Sequence, residues 1–178
     1  MDFDWYKVLN NSGQLEQGDL IPNCPIIIPP NTIDPEAELE VDVKEIDSIV
    51  MSQSCDLVNG KIELVLVCNY KSLGDFMQDL PKEQQSKKAQ GKIIDRLRKG
   101  HLPSYHLLDK NEDISINDYL VVDFRNVYGI HIDNLKAVST ALEERFRVLP
   151  PYREHLSQAF ARYFMRVGLP QDIIVEGY

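Results

Sequence analysis

The sequence lacks the long apolar runs and the leader that would place it in a membrane. Its longest apolar runs are Ile26–Ile28 and Leu64–Cys68, far short of the ~20 residues that a membrane-spanning helix needs. The start, Met1–Trp5, has no basic region and opens no apolar stretch, unlike a secretory signal. The chain's three cysteines form no close pair, which is typical of a reducing compartment. We therefore expect a cytoplasmic protein that does not enter a membrane.

Common motifs of catalysis and cofactor binding are missing as well. The chain has no P-loop, no Gly-x-Gly-x-x-Gly and no nucleophile elbow, so the usual nucleotide and hydrolase patterns do not apply. Structural zinc needs four ligands that usually come in closely spaced pairs, whereas here the cysteines are single and no His-x-x-x-His pair occurs. We expect no metal and no cofactor.

Arginine is absent from the first half of the chain, and charge is unevenly distributed. The net charge of the 178 residues is −9, and the first arginine is Arg96. Residues 1–49 carry eleven acidic and two basic side chains, while residues 82–99 carry seven basic and two acidic ones. An acidic average repels nucleic acid, but a local basic stripe still offers a phosphate site.

Length and composition indicate one folded domain covering residues 1–178. Hydrophobic residues make up 43% and charged residues 26% of the chain, values typical of globular proteins and too apolar for disorder over the whole length. A chain of this length is long enough to bury a substantial core.

Alternation and turn residues predict several strands. Residues 38–44 alternate strictly between polar and apolar, and 46–51 continue as a second strand. Asn59-Gly60 favours a hairpin into a buried strand over 61–69. Pro22 and Pro25 within residues 18–28, with Pro29 and Pro30 directly after them, predict an edge strand or an irregular extended arm there. Further strands are predicted at 101–108, 118–127 and 145–149.

Helical spacing predicts helices in the middle and at the end of the chain. These are 73–80, 83–99, 132–142 and, after Pro150-Pro151, an amphipathic helix over 152–167. The predicted class is α+β: a small curled antiparallel β-sheet or an SH3-like barrel, with an inserted basic helix and a C-terminal amphipathic helix.

The segment Ser52–Asp56 contains the candidate catalytic residues Ser52, Ser54, Cys55 and Asp56. Polar residues that follow an apolar strand are often functional, but a cysteine nucleophile needs a nearby base and cation, and no histidine stands at a diagnostic spacing. We favour the alternative, in which Cys55 fills the core and the other three side chains hydrogen-bond a turn.

Two basic sets are candidates for binding nucleic acid or a partner. Lys88, Lys92, Arg96 and Lys99 recur at steps of 4, 4 and 3, which places them on one face of a helix. The alternative is a solvated helix or a protein contact, because a nucleic-acid binder usually has a broader basic surface with interleaved aromatics.

The second basic set lies in the last helix. Arg162 and Arg166 are four residues apart, with Arg145 and Arg147 upstream. Arginine forks suit carboxylate or phosphate. The ordinary explanation is pairing of these arginines with Glu143, Glu144 or Glu154.

Residues 17–70 resemble the PemK/MazF toxin family. The similarity lies in the order of three short segments, 18–21, 49–52 and 63–68. It implies a small SH3-like barrel that cuts RNA without metal. The family places a catalytic arginine near its early strands, whereas this chain would have to use Arg96 or a later arginine.

A second resemblance runs nearly the full length. The segments 52–57 (Ser-Gln-Ser-Cys-Asp-Leu), 120–125 and 164–170 are similar to a group of uncharacterised bacterial proteins. This resemblance implies a prokaryotic cytosolic protein and no particular activity.

These observations favour a non-catalytic accessory or interaction protein with a protein partner, associated with a bacterial defence or toxin system. The competing hypothesis is a metal-independent endoribonuclease of the PemK/MazF type, or an RNA- or DNA-binding module that uses the basic helix over 82–99. The third hypothesis is a cysteine-dependent enzyme. Proximity of Lys88, Lys92 and Arg96 to the Ser52–Asp56 segment would favour a nucleic-acid function.

Overall fold

The computed structural model describes residues 3–10, 14–32, 38 and 40–165, and within them the chain forms seven strands and five α-helices. The strands are β1 Tyr6–Asn10, β2 Asp19–Ile28, β3 Asp42–Val50, β4 Leu64–Ser72, β5 Tyr105–Leu108, β6 Leu120–His131 and β7 Glu144–Val148. The helices are α1 Ser54–Val58, α2 Leu73–Gln78, α3 Lys87–Arg98, α4 Ile132–Ala141 and α5 Tyr152–Phe164.

The described strands form an open antiparallel sheet in the order β1-β7-β2-β3-β4-β6-β5. The outer strands β1 and β5 do not pair with each other, so this part of the chain does not close into a barrel. The α+β prediction is confirmed, with the curled sheet rather than the barrel. The junction of β7 with β2 consists of only two residue pairs, Asp19↔Arg147 and Leu20↔Phe146.

Strand β2 corrects part of the prediction of an edge strand or irregular arm. Its first residues, Asp19 and Leu20, lie between β7 and β3, and the rest of the strand pairs with β3 alone among the described strands. The pairing of β2 accommodates both of its prolines. The register shifts between Ile21 and Cys24, which leaves Pro22 outside the ladder. Beyond Leu20, β3 is the only described partner of β2. The other side of the strand has no described hydrogen-bonding partner there, so the missing N–H of Pro25 is tolerated.

Two further predictions need correction around β3. The strands predicted at 38–44 and 46–51 are one strand, β3, and part of 38–44 lies outside the described residues. Asn59-Gly60 does not join two strands but follows the short helix α1, with Gly60 at a φ of +61°. A short apolar-polar run such as Ser54–Val58 carries too few residues to reveal a helical period.

The predicted helices over 83–99 and 152–167 are present in shorter form as α3 and α5. The Ser86 hydroxyl accepts a hydrogen bond from the backbone N–H of Ala89 and caps α3. Gly100, at a φ of +65°, follows its end. The last predicted residues of the terminal helix, from 166 onward, lie outside the described residues.

The helices cover both faces of the sheet. On one face α5 packs through Leu156 and Phe160 onto a cluster that includes Phe124 and Leu108. On the other face α4 covers the middle of the sheet through Leu135. Next to it, α2 and α3 pack on Val121 through Phe76, Met77 and Leu97. The sheet edge at β5 therefore lies between α3 on one face and α5 on the other.

A buried ion cluster joins β2 to β7. Asp19 is fully buried, Arg145 is 1% exposed and Arg147 is 8% exposed. The Asp19 carboxylate accepts from Nε of Arg145 at 3.2 Å and from Nε of Arg147 at 2.5 Å. Arg147 also donates to the Glu16 carboxylate. The expected partners of these arginines, Glu143, Glu144 and Glu154, are replaced by acids from the other end of the chain.

The cluster holds Arg147 charged. Burial by itself lowers the pKa of Arg147, but hydrogen bonds and charge from Asp19 and Glu16 outweigh burial and raise the pKa above its usual value. The backbone N–H of Glu16 donates to Asp19 at 3.0 Å, and both guanidinium groups donate to the carbonyl of Gln14. The arginines of β7 therefore bind acceptors from residues 14–19, and Asp19 in turn binds the arginines of β7.

We expect Asp19→Asn to lower the free energy of unfolding by about 3–5 kcal/mol, because it leaves buried guanidinium groups without their carboxylate. Urea denaturation measures the loss. Glu16→Gln is the matched control: the Glu16 side chain is 29% exposed, so its loss should stay near 1 kcal/mol. Equal losses in the two variants would contradict a structural role for Asp19.

Candidate functional site

The serines of the candidate catalytic segment hold backbone together. The Ser52 hydroxyl accepts from the backbone N–H of Leu66 at 2.9 Å, and the Ser54 hydroxyl accepts from the N–H of Gln17 at 3.1 Å. These contacts tie the start of α1 to β4 and to the turn before β2. Asp56 lies 3.8 Å from the ammonium group of Lys61. The serines were expected to hydrogen-bond a turn of their own segment, but they accept hydrogen bonds from backbone that is distant in the sequence.

Cys55 does not fill the core, contrary to expectation. It is exposed, because it lies on the outer side of α1 while Leu57 of the same helix is buried. Its sulfur has Gln53 Oε1 and Asp56 Oδ1 as neighbours, each at 3.7 Å. Neither is a cation, which a thiolate nucleophile needs beside it. The arrangement gives a thiol open to solvent whose hydrogen-bond partners are an amide and a carboxylate.

The basic helix α3 and the Ser52–Asp56 segment lie at different ends of β4. Ser52 binds the backbone of Leu66, whereas Leu97 of α3 packs on Val121, which pairs with Lys71. Five residues of strand separate Leu66 from Lys71, or roughly 17 Å. The two sets therefore do not form one cleft.

A cleft of about 810 Å³ opens at the β5 edge of the sheet. One wall is the C-terminal end of α3, with Ile94, Leu97, Arg98 and Lys99, and the other wall is a face of α5. The α5 wall consists of His155, Gln158, Ala159 and Arg162. Between the walls run Tyr105, His106 and Leu107 of β5, and Trp5 and Tyr119 complete the lining.

Cations outnumber anions around this cleft. Lys99 is paired with Asp95 of its own helix at 2.7 Å. Arg98 and Arg162 form no ion pair with any residue that the structure describes. Asp109 is the one carboxylate in the lining. The cleft is thus electropositive within an acidic protein.

Aromatic and imidazole rings add to the lining. Trp5 stacks on Tyr152 of α5 with ring centroids 3.5 Å apart. His106 lies beside Phe124, with centroids 6.4 Å apart. Burial, together with the charges of His155 and Arg162, lowers the pKa of His106 to about 4. His106 is therefore neutral at pH 7.

The structure brings together only part of the predicted binding set. Lys99 and Arg162 share the cleft, whereas Lys88, Lys92 and Arg96 are not in its lining. The Arg96 guanidinium donates to the backbone carbonyl of His101 at 3.4 Å. Arg166 lies outside the described residues.

Sequence reasoning missed Arg98, His106 and Trp5 as parts of the same site. One sequence pattern was available: residues 155, 158, 159 and 162 recur at steps of 3, 1 and 3, which places them on one helix face. No comparable pattern links that face to Trp5 or to β5, because the contact is made only by the folded sheet.

Comparison with known proteins does not assign the chain to a family. No protein-family model matches the chain, and no curated protein matches it. Among the described residues, no three His, Cys, Asp or Glu side chains are grouped so that they could hold a metal ion. In the same part of the chain, no helix has both the length and the apolarity that crossing a membrane requires.

We expect the free energy of unfolding to fall by about 3 kcal/mol as pH falls from 6.5 to 4. Over this range His106 binds a proton in the unfolded chain but stays neutral in the folded protein, so protonation favours unfolding. This contribution is complete above pH 6.5. Urea denaturation across the pH range measures it. His106→Gln should remove the dependence, and His101→Gln, at an exposed histidine, should retain it. An NMR titration of His106 near pH 6.5 would contradict the assignment.

Thiol labelling at pH 7.5 should modify Cys55 and spare the other two cysteines. Burial raises the pKa of Cys24 to about 11 and that of Cys68 to about 12, and the thiolate is the reactive form. Mass spectrometry after iodoacetamide treatment of the folded protein gives the count. Cys55→Ser should leave no reactive thiol until urea is added; fast labelling of Cys24 or Cys68 would be inconsistent with their burial.

Proposed function

We propose that this protein is a non-catalytic interaction protein whose cleft between α3 and α5 binds an acidic region of a protein partner. The observation that carries the proposal is that Arg98 and Arg162, neither of which forms an ion pair within the described part of the chain, lie on the two walls of one cleft. Two cations held on opposite walls attract a chain with carboxylates, and arginine forks bind carboxylates in a defined geometry.

The distribution of apolar surface supports a protein ligand. Leu97 and Ile94 line one wall and Ala159 the other. Interfaces between proteins combine such an apolar centre with a polar rim. An accessory role in a bacterial defence or toxin system is the setting suggested by the resemblance of residues 17–70 to the PemK/MazF toxin family.

The candidate catalytic segment supports a role without chemistry. The hydroxyl oxygens of Ser52 and Ser54 accept backbone hydrogen bonds, and the hydrogen-bond partners of the Cys55 thiol are an amide and a carboxylate. A metal-independent nuclease needs a base and a cation converging on one phosphate. The roughly 17 Å between this segment and the contact of α3 with the sheet separates those two requirements.

A nucleic-acid ligand is the second candidate, and one observation favours it. Trp5 and Tyr119 line the same cleft as the arginines, and aromatic rings between cations are typical of single-strand binding. The metal-independent endoribonuclease remains part of this alternative, with cleavage as its distinguishing property.

We expect Arg98→Ala/Arg162→Ala to weaken binding of a fluorescein-labelled acidic peptide roughly tenfold in low salt. Two exposed charge contacts of about 0.7 kcal/mol each give that factor. Fluorescence anisotropy measures it. Lys88→Ala/Lys92→Ala is the matched control, with the same number of charges removed outside the cleft, and its affinity should change less than twofold.

The same proteins are then tested with a labelled 20-nucleotide RNA in EDTA. Tighter binding of RNA than of the peptide, lost in the Arg98/Arg162 variant, would transfer the proposal to the nucleic-acid alternative. Cleavage of that RNA, lost in Asp56→Ala or Arg96→Ala, would establish the endoribonuclease instead.

A further inference from the structure

The floor of the cleft is an unpaired sheet edge. β5 is the last strand in the order of the described sheet, with β6 on one side and no described strand on the other. An edge of this kind presents backbone N–H and C=O groups that another chain can pair with. Here the edge lies inside a cleft.

The register shows which backbone groups point outward. The N–H of Phe124 donates to the carbonyl of Ser104 at 2.9 Å, and Tyr105 is opposite Asp123. In an antiparallel ladder, hydrogen-bonded and non-hydrogen-bonded pairs alternate. His106 therefore pairs toward β6, while the N–H and C=O of Leu107 and the C=O of Tyr105 point into the cleft.

The two walls match the side-chain alternation of an added strand. Tyr105 and Leu107 pack with Leu97 on the α3 face of the sheet, whereas His106 lies beside Phe124 on the α5 face. Successive side chains of a strand point to opposite faces. A strand placed next to β5 would thus direct alternate side chains toward Arg98 on one wall and Arg162 on the other.

We propose that the occupant of the cleft is an extended acidic segment of a partner protein, which adds to β5 as a further strand of the sheet. The segment forms hydrogen bonds with Leu107 and Tyr105, and its carboxylates meet Arg98 and Arg162. This inference rests on the proposed function and specifies the backbone conformation of the ligand. Pairing along the four residues of β5 spans about 14 Å.

The first test varies the backbone of the ligand and leaves its charges unchanged. The probe is a fluorescein-labelled seven-residue peptide of valine with two adjacent glutamates, so that a paired strand directs one carboxylate to each face of the sheet. Its affinity is measured by fluorescence anisotropy with the wild-type protein. A peptide methylated at alternate amides retains one free edge and should bind as the parent does. A peptide methylated at every amide has no free edge, and we expect it to bind roughly a hundredfold more weakly.

The peptide results separate the two proposals. Equal affinity of the fully methylated and the parent peptide would overturn strand addition and leave the acidic-ligand proposal standing. No binding by the parent peptide would overturn both. Binding by RNA, with no effect of any peptide, would assign the cleft to nucleic acid.

The second test uses the protein. Leu107→Pro removes the outward N–H without removing a bond to β6, and Leu107→Ala is its control because it makes a similar loss of side-chain packing while keeping the N–H. Peptide affinity should fall at least tenfold more in the proline variant than in the alanine variant. In the wild-type protein, amide exchange at Leu107, followed by NMR, should slow when the peptide is bound. Unchanged exchange at saturating peptide would overturn strand addition.

Discussion

The buried contact of Asp19 with Arg145 and Arg147 holds the two parts of the sheet in register. β7 and β2 share only two residue pairs, too short a ladder to fix their relation by backbone hydrogen bonds alone. The carboxylate of Asp19 supplies the missing constraint, since Arg145 and Arg147 must both reach it. Buried charges of this kind stabilise little, but they tolerate few alternative arrangements. α5 follows β7 directly, so the position of Arg162 above β5 depends on this cluster.

Periodicity predicted most of the elements, and the failures have one physical origin. Helices α3 and α5 and the strands β4 and β6 carry strong local patterns. The inner position of the start of β2 was not predicted, because its pairing with β7 has no signal in the local sequence. The burial of Asp19 was not predicted either, because its partners lie 126 and 128 residues away. Contacts between residues so far apart in the sequence cannot be predicted from local periodicity.

The cleft between α3 and α5 was likewise not predictable from local sequence patterns. The residues Ser52–Asp56 were candidate catalytic residues because polar residues after a strand are often functional. In the structure the two serines accept hydrogen bonds from backbone that is distant in the sequence. The cleft is assembled from an N-terminal tryptophan, the end of α3, an edge strand and a face of α5. Each part looks ordinary in sequence. Lys99 and Arg162 were identified as basic residues, but only the fold reveals that they face each other.

The net charge of −9 constrains what this cleft can hold. At distances beyond a Debye length of about 8 Å, Arg98 and Arg162 are screened, and an anionic ligand meets an acidic protein that repels it. Attraction must therefore come at short range. A nucleic acid carries a charge on every phosphate and has no backbone that continues a β-ladder, so it bears the full repulsion with fewer compensating contacts. A peptide with a few carboxylates experiences less repulsion, and its amides can pair with the outward groups of Leu107. That pairing does not depend on charge, which is why we propose an extended acidic peptide and not a nucleic acid as the ligand.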